Sequence, residues 1–324
     1  MIKPYVIVLS QFEADVIFGQ HLATQCGFQF LRAASVPDLE RYLIDRSNSL
    51  VFIDVDSKES QSALHQVAAV LRLYSNPRFV FGIATKPIFD LVESNRFGVF
   101  GHYYVRNYDS FAMNWMPRLC RPIFSPESFG VDFYKDSDAS VHKIELKSSR
   151  ERGVLIQVLD KYLVEKGVND RAAQMSLRAV DEVLMNAIFD APIDSGGVRY
   201  RINTPREEYF ELKDKERVFV TVVRNLEFML VAVRDQFGSL ELKAATDAAK
   251  ANYRVKSYDS NAHAHAGRIG LQAIAASGTS YLANCKPKAY TEVVLAFPYF
   301  RSFKETKSVF RSFSFNIQDS SIKI

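Results

Sequence analysis

The apolar residues of the first 120 positions form short runs, separated by stretches that have helical spacing. The run YVIVL is continuous, which is typical of a strand buried on both faces. The intervening stretches place apolar residues three or four positions apart, as on one face of a helix. The predicted strands are Tyr5–Leu9, Phe28–Leu31, Leu50–Ile53, Phe79–Ile83 and Tyr103–Val105, and the predicted helices are Glu13–Gln25, Val36–Ile44, Ser60–Tyr74, Ile88–Glu93 and Phe111–Leu119. This alternation predicts a doubly wound α/β domain with a parallel sheet covered by helices on both faces.

The pattern changes after a segment that has prolines, serines and aspartates but little periodicity. We interpret residues 123–139 as a linker between a first domain at 1–122 and a second at 140–324. The second domain is predicted to contain the strands Val141–Leu146, Phe219–Val223, Phe228–Val233 and Thr291–Phe297, and the helices Glu151–Lys166 and Arg171–Phe189. The helix at Glu151–Lys166 is expected to bury Val154, Leu155, Val158, Leu159 and Leu163.

Composition narrows the class of protein. The chain has 324 residues, of which 48% are apolar, enough for two buried cores and too many for a disordered chain. The 41 basic and 37 acidic residues leave a net charge of +4, which argues against a dedicated nucleic-acid binder. The three cysteines lie far apart and predict neither a metal site nor a disulfide framework, so we expect a cytoplasmic protein. No apolar stretch approaches the length of a bilayer span, and the N-terminus lacks a signal-peptide pattern.

Polar side chains follow the predicted strands of the first domain. Asp54 ends the third strand, Thr85 follows the fourth and Arg106 follows the fifth, while Ser10 and Gln11 follow the first. With the predicted topology, this arrangement resembles a CheY-like receiver domain over the first domain. The resemblance implies that Asp54 is the position of a phosphoacceptor, with Thr85 beside it.

The first domain departs from the receiver pattern at the residues that would support phosphorylation. An active receiver carries an acidic pair after the first strand to hold Mg²⁺, and Ser10 and Gln11 have no charge. Arg106 stands nearest to the position of the receiver lysine, and the two residue types differ in geometry. We therefore predict a degenerate receiver in which Asp54 is a strand-end carboxylate that caps a turn.

The second domain carries four sequence motifs in a fixed order. Glu182 and Asn186 are four residues apart on a predicted helix and so share a face. Asp235 follows a predicted strand and precedes Gly238. A turn before the next helix contains two glycines around an arginine, and a last strand opens near a threonine; these residues are Gly267, Arg268, Gly270 and Thr291.

This order resembles the Bergerat-fold (GHKL) ATPases, the superfamily of histidine kinases, gyrase and Hsp90, over roughly residues 140–300. The resemblance implies an α/β sandwich that binds ATP with Mg²⁺. Asn186 would hold Mg²⁺, Glu182 would be a general base or position a water, and Asp235 would accept a hydrogen bond from the adenine amino group. The remaining motif residues would bring backbone close to the nucleotide and form a lid over the phosphates: Gly238, Gly267, Arg268, Gly270 and Thr291.

Three departures from that superfamily affect the prediction. Phe237 and Ile269 stand where glycines are usual, and Tyr290 precedes Thr291 where a glycine is usual. The only histidine near the start of the ATPase region, His142, lies in a predicted strand rather than in a helical hairpin. The layout therefore resembles the anti-sigma-factor serine kinases more than sensor histidine kinases. Residues 192–217 form a charged insertion that is either a partner-binding surface or a solvated excursion, the second being commoner.

Two functions follow as hypotheses. The first is a cytoplasmic signalling regulator whose ATP-binding domain phosphorylates or sequesters a protein partner, such as an antagonist or a sigma-factor-like protein; a homodimer is one expected assembly. The alternative is an inactive pseudoenzyme scaffold that acts by protein contact alone. His263 and His265 we interpret as loop residues, because no third metal ligand accompanies them. The 25 Phe and 15 Tyr, some of them in the C-terminal tail, favour packed interfaces.

Overall fold

The structure is a computed structural model that describes residues 3–46, 48–85, 98–124, 130–240, 274, 277–308 and 312–317. Contacts divide the chain into two compact units. The first unit runs to Phe129 and also includes Phe310–Ser314, and the second comprises the remainder from Gly130 onward. The change of unit between Phe129 and Gly130 falls inside the interval that the sequence analysis assigned to the linker.

The first unit alternates strands and helices as the sequence predicts. Ser35 caps the second helix by accepting a hydrogen bond from the Asp38 amide, and Pro37 lies in the first turn. The predicted helix Ile88–Glu93 lies outside the described residues. The described elements are β1 (Tyr5–Leu9), α1 (Glu13–Cys26), β2 (Gln29–Ala33), α2 (Val36–Asp45), β3 (Ser49–Asp54), α3 (Lys58–Tyr74), β4 (Val80–Ala84), β5 (His102–Val105) and α4 (Ser110–Cys120).

The strands of the first unit are parallel in the order β2-β1-β3-β4-β5. This order places a topological switch point at β1, and ligands of open α/β sheets bind at the carboxyl ends of strands near such a point. Residues Ser312–Ser314 of β11 (Ser312–Ile317) pair antiparallel with β5. This long-range pairing places Phe310–Ser314 with the first unit, although the sequence analysis assigned the whole of 140–324 to the second domain.

The second unit combines an antiparallel sheet with two long helices. The sequence analysis missed one strand, β9, and one short helix, α7. A π-helical turn, Asn186–Asp190, continues the second long helix. The elements are β6 (Ser140–Leu146), α5 (Glu151–Glu165), α6 (Asp170–Met185), β7 (Val218–Arg224), β8 (Phe228–Asp235), β9 (Ser280–Lys286), β10 (Tyr290–Pro298) and α7 (Phe303–Ser308).

The strands β9-β10-β8-β7-β6 are neighbours in this order and pair antiparallel. Helix α6 lies against β8 and β10, and α5 packs on α6. Both units are therefore mixed α/β, as predicted. No helix among the described residues is both long and apolar enough to cross a bilayer.

The predicted core face of α5 is partly wrong. Leu155, Leu159 and Leu163 are buried, whereas Val154 and Val158 are 60% and 50% exposed. Each valine precedes a buried leucine by one position, which is about 100° around the helix. The apolar surface of α5 is thus wider than the stripe that the neighbouring elements cover.

Candidate functional sites

Three strand ends of the first unit converge on the Arg106 side chain. Arg106 follows β5, Thr85 follows β4 and Asp54 ends β3, and the parallel register puts these positions at one edge of the sheet. The Arg106 Nη2 lies 2.8 Å from Asp54 Oδ1, and Nη1 lies 2.7 Å from Thr85 Oγ1 and 3.2 Å from Asp56 Oδ1. The structure thus brings together three of the five residues that the sequence analysis selected here.

The remaining hydrogen bonds of Arg106 go to Asp15, which the sequence analysis missed. The Arg106 Nε and Nη2 atoms lie 2.8 and 3.0 Å from its two carboxylate oxygens. Ser10 is buried and donates to Asp15 Oδ2 at 2.5 Å, while Gln11 is exposed. Asp15 lies on the buried face of α1, three and seven residues before Phe18 and Leu22. The sequence did contain a signal for Asp15, because an acidic residue there interrupts the apolar face of the helix.

The Arg106 guanidinium is saturated by these partners. Its five N–H donors match five hydrogen bonds to three carboxylates and one hydroxyl. Burial by itself would raise the pKa of Asp54, but hydrogen bonds from two serines and Arg106, together with the Arg106 charge, hold this pKa below its ordinary value. Asp54 therefore stays ionised as the partner of a fixed internal cation.

In this cluster, the carboxylates of Asp15, Asp54 and Asp56 surround the Arg106 guanidinium. Within the described part of the chain, no three acidic, histidine or cysteine side chains are arranged to hold a metal ion. The Asp54 side chain is completely buried. The contacts are those of an ion-pair network that ties three strand ends to α1.

In the second unit, a buried carboxyl group ends strand β8. Asp235 is 7% exposed, and its Oδ1 accepts hydrogen bonds from the amides of Phe237 at 2.8 Å and Gly238 at 3.3 Å. Thr291 lies directly opposite Asp235 in the antiparallel register of β10 and β8 and also donates to it. Two residues that the sequence analysis selected 56 positions apart are therefore partners.

Burial has the largest effect on the pKa of Asp235. It raises the pKa of Asp235 from 3.8 to about 6, although the hydrogen bonds from Thr291 and from the two amides oppose this rise. A buried carboxyl group with a raised pKa at a strand end is a candidate for a binding or catalytic role.

Gly238 has a conformation and surroundings that require glycine. Its φ is +59°, and a Cβ atom there would lie 2.2 Å from the Lys286 carbonyl oxygen and 2.8 Å from the Ala289 amide nitrogen. The turn between β9 and β10 is thus in direct contact with Gly238. The atoms that closely approach Gly238 therefore belong to the backbone of the same chain.

Glu182 and Asn186 lie where α6 gives way to the π-helical turn. Strand β8 contacts this turn, so the end of α6 is adjacent to the strand that Asp235 terminates. Burial, followed by the neighbouring Asp181, raises the pKa of Glu182, and Arg206 opposes the rise. Neither the Glu182 nor the Asn186 side chain hydrogen-bonds to another described residue. Single π-helical turns occur frequently at functional sites.

The other predicted residues of this site, Gly267, Arg268 and Gly270, lie outside the described residues, as do His263 and His265. The insertion 192–217 has turns, two isolated antiparallel bridges and one short 3₁₀ turn. Most of its residues are exposed, and contacts such as the hydrogen bond from the Ser149 hydroxyl to the Glu208 carbonyl anchor it to the rest of the unit. One of its anchoring contacts is the ion pair between Arg206 and Asp190, two residues that the sequence analysis did not select.

A search of protein-family models finds no match to this chain, and no curated protein sequence matches it.

We expect the stability of the second unit to depend on pH through Asp235. Because the folded pKa is raised, the protonated carboxyl stabilises fully below pH 3.8, and this contribution is lost as pH rises through about 6. The difference between these pKa values corresponds to roughly 3 kcal/mol. Urea denaturation of the wild type and of Asp235→Asn between about pH 4 and 7 measures this contribution. As the pH rises over this range, the wild type should lose stability relative to the variant. Asp214→Asn, at a 93% exposed side chain, is the control. Parallel curves for Asp235→Asn and the wild type would contradict the prediction.

Proposed function

We propose that the chain is an ATP-binding signalling regulator, with nucleotide bound in the second unit and the first unit acting through protein contacts. The observation that carries this proposal is the Asp235 carboxyl group, which is buried and held at the end of β8, a strand that contacts the turn beginning at Asn186. A buried acceptor of this kind is suited to the amino group of an adenine ring.

The residues present fit Mg²⁺ and ATP chemically. Asn186 and Glu182 offer oxygen atoms with no hydrogen-bond partner among the described residues, and oxygen is the ligand type that Mg²⁺ prefers. Asn186 would hold the metal ion, Glu182 would act on a metal-bound water or an acceptor hydroxyl, and Asp235 would bind the base. Bound ATP would supply a transferable phosphoryl group, and Mg²⁺ would neutralise its charge.

The catalytic role proposed for Glu182 follows from its surroundings. Its raised pKa makes the carboxylate a better proton acceptor than an exposed glutamate. In the reaction class that we propose, Glu182 accepts the proton of a serine or threonine hydroxyl on a protein partner, as the resemblance to anti-sigma-factor serine kinases implies. The first unit would recognise the partner without being phosphorylated, since Arg106 already neutralises the buried Asp54.

A second candidate function is a pseudoenzyme scaffold that binds partners and no nucleotide. Phe237, 3% exposed, stands where the resembled superfamily has glycine, and Gly238 is in contact with the β9–β10 turn. These two observations favour the scaffold, because neither Phe237 nor Gly238 then offers free glycine backbone that a nucleotide could approach.

Calorimetric titration with ATP and Mg²⁺ separates the two functions. We expect the wild type to bind and Asp235→Ala to lose at least about tenfold in affinity, since a charge-assisted hydrogen bond is worth about 1.5–3 kcal/mol. Asp214→Ala, at an exposed side chain of the same unit, should bind like the wild type. If the wild type neither binds ATP nor gains thermal stability from it, the scaffold is the correct function.

A further inference from the structure

Arg206 attaches the insertion to the end of α6. Its Nη2 lies 2.8 Å from Asp190 Oδ1, and its guanidinium carbon lies 4.6 Å from the centre of the Phe189 ring. Phe189 and Asp190 both belong to the π-helical turn that begins at Asn186. One ion pair and one cation–π contact thus hold the guanidinium group against this turn.

The same guanidinium lies beside a row of polar residues. Glu182, Asn186 and Asp190 follow one another at four-residue intervals along α6 and its π-helical continuation, which keeps them on a similar side. Arg206 bonds Asp190 at one end of this row, and its charge acts on Glu182 at the other. Arg206 is therefore paired with the last residue of the row that also contains Glu182 and Asn186, whose side-chain oxygens the proposed function uses.

One donor group of Arg206 has no acceptor. Its Nη1 atom is buried and makes no hydrogen bond with any described residue. A buried N–H group without a partner is costly, and a charged one more so. The guanidinium is thus held in place by Nη2 and the Phe189 ring while Nη1 lacks an acceptor.

We infer that Arg206 is a specificity residue of the nucleotide site, whose Nη1 group binds the terminal phosphate of a nucleoside triphosphate. This inference rests on the proposed function, and it assigns to the insertion a role in ligand recognition. Guanidinium groups bind phosphate oxygens through parallel N–H donors, which suits a group already oriented by other contacts. A diphosphate lacks the terminal phosphate, so this contact separates ATP from ADP.

The test compares ATP and ADP binding by calorimetry in the presence of Mg²⁺, using the full chain. Arg206→Gln should weaken ATP binding by about 10- to 100-fold, the range expected for one hydrogen bond to a charged group, and leave ADP binding unchanged. Arg206→Lys is the second variant, to be used if the glutamine variant does not fold. It keeps the charge but loses the planar fork, so the preference for ATP should still fall.

Arg201 provides a matched control on the same insertion. It also makes a 2.8 Å ion pair, with Glu216, and its guanidinium carbon lies 4.0 Å from the centre of the Phe210 ring. Both partners lie within the insertion, and neither is Glu182, Asn186 or Asp190, although the Phe210 ring contacts the Phe189 ring edge to face at 5.5 Å between centres. Arg201→Gln should therefore leave the ratio of ATP to ADP affinity at the wild-type value, whatever it does to thermal stability.

The outcomes separate the two proposals. Wild-type protein that binds ATP and ADP equally, or an Arg206 variant that keeps the wild-type preference, overturns the role of Arg206 and leaves nucleotide binding intact. Wild-type protein that binds no nucleotide overturns the proposed function and this inference together. An equal loss of preference in Arg201→Gln shows that the effect is structural and also overturns the inference.

Discussion

Replacing Arg106 with alanine is expected to destabilise the first unit by about 3–5 kcal/mol at neutral pH, the usual result of removing one partner from a buried ionic network. The variant would leave the carboxylates of Asp15, Asp54 and Asp56 without their cation. Two of them are fully buried, so water cannot take over the role of the guanidinium. Chemical denaturation followed by the fluorescence of Trp115, which is completely buried in the same unit, measures the change.

The pH dependence of this loss identifies its cause. The pKa of Asp54 is lowered in the folded wild type, so its contribution is present above pH 3.8 and is lost as pH falls through the folded value. In the variant, protonation removes the uncompensated charge. The difference between wild type and variant should therefore shrink as the pH is lowered toward 3.8. A difference that stays constant with pH would show that lost packing, not lost charge, is responsible.

Arg32→Ala is the control for this variant. Arg32 pairs with Glu13 at 3.0 Å, a distance similar to those around Arg106, but the two side chains are 46% and 64% exposed. An exposed ion pair contributes only about 0–1 kcal/mol, because water screens it. A comparable loss in both variants would contradict the view that burial makes the Arg106 network important.

Gly238→Ala is expected to destabilise the second unit by about 3 kcal/mol or more. The positive φ costs an alanine about 1–2 kcal/mol, and its Cβ would lie 2.2 Å from a backbone carbonyl that no rotamer change can move. The β9–β10 turn would have to shift, and with it Thr291 opposite Asp235. Urea denaturation gives the free energy, and the pKa of Asp235, followed by NMR titration, reports the local displacement.

Gly197→Ala separates the conformational cost from the steric one. Gly197 also has a positive φ, +81°, but a Cβ there meets no atom within 4 Å. The loss of chain entropy in the unfolded state is the same for both substitutions. We expect Gly197→Ala to cost about 1 kcal/mol. Equal losses in the two variants would show that the contact with the turn is unimportant.

Sequence periodicity was sufficient to predict most helices and strands of both units. It failed where an element or its buried face depends on residues that are distant in the sequence. The strand β3 is a continuous apolar run and was predicted within one residue at each end. Strand β9 was missed because it alternates small, polar and apolar residues that only their cross-strand partners bury. Val154 and Val158 were expected in the core because periodicity gives the apolar face of a helix but not the width that its neighbours cover.

The sequence by itself determined which residues end the strands and which share a helix face, because strand period and helix period are local properties of the chain. Asp54 and Asp235 were placed at strand ends, and Glu182 and Asn186 on one helix face, on that ground, while their selection as site residues rested on the two family resemblances. Only the tertiary structure decided what these residues contact. Asp15 and Arg106 are 91 residues apart, and Gly238 owes its requirement for glycine to a turn nearly 50 residues further on. Such contacts depend on how separate elements pack, and no local pattern encodes that packing.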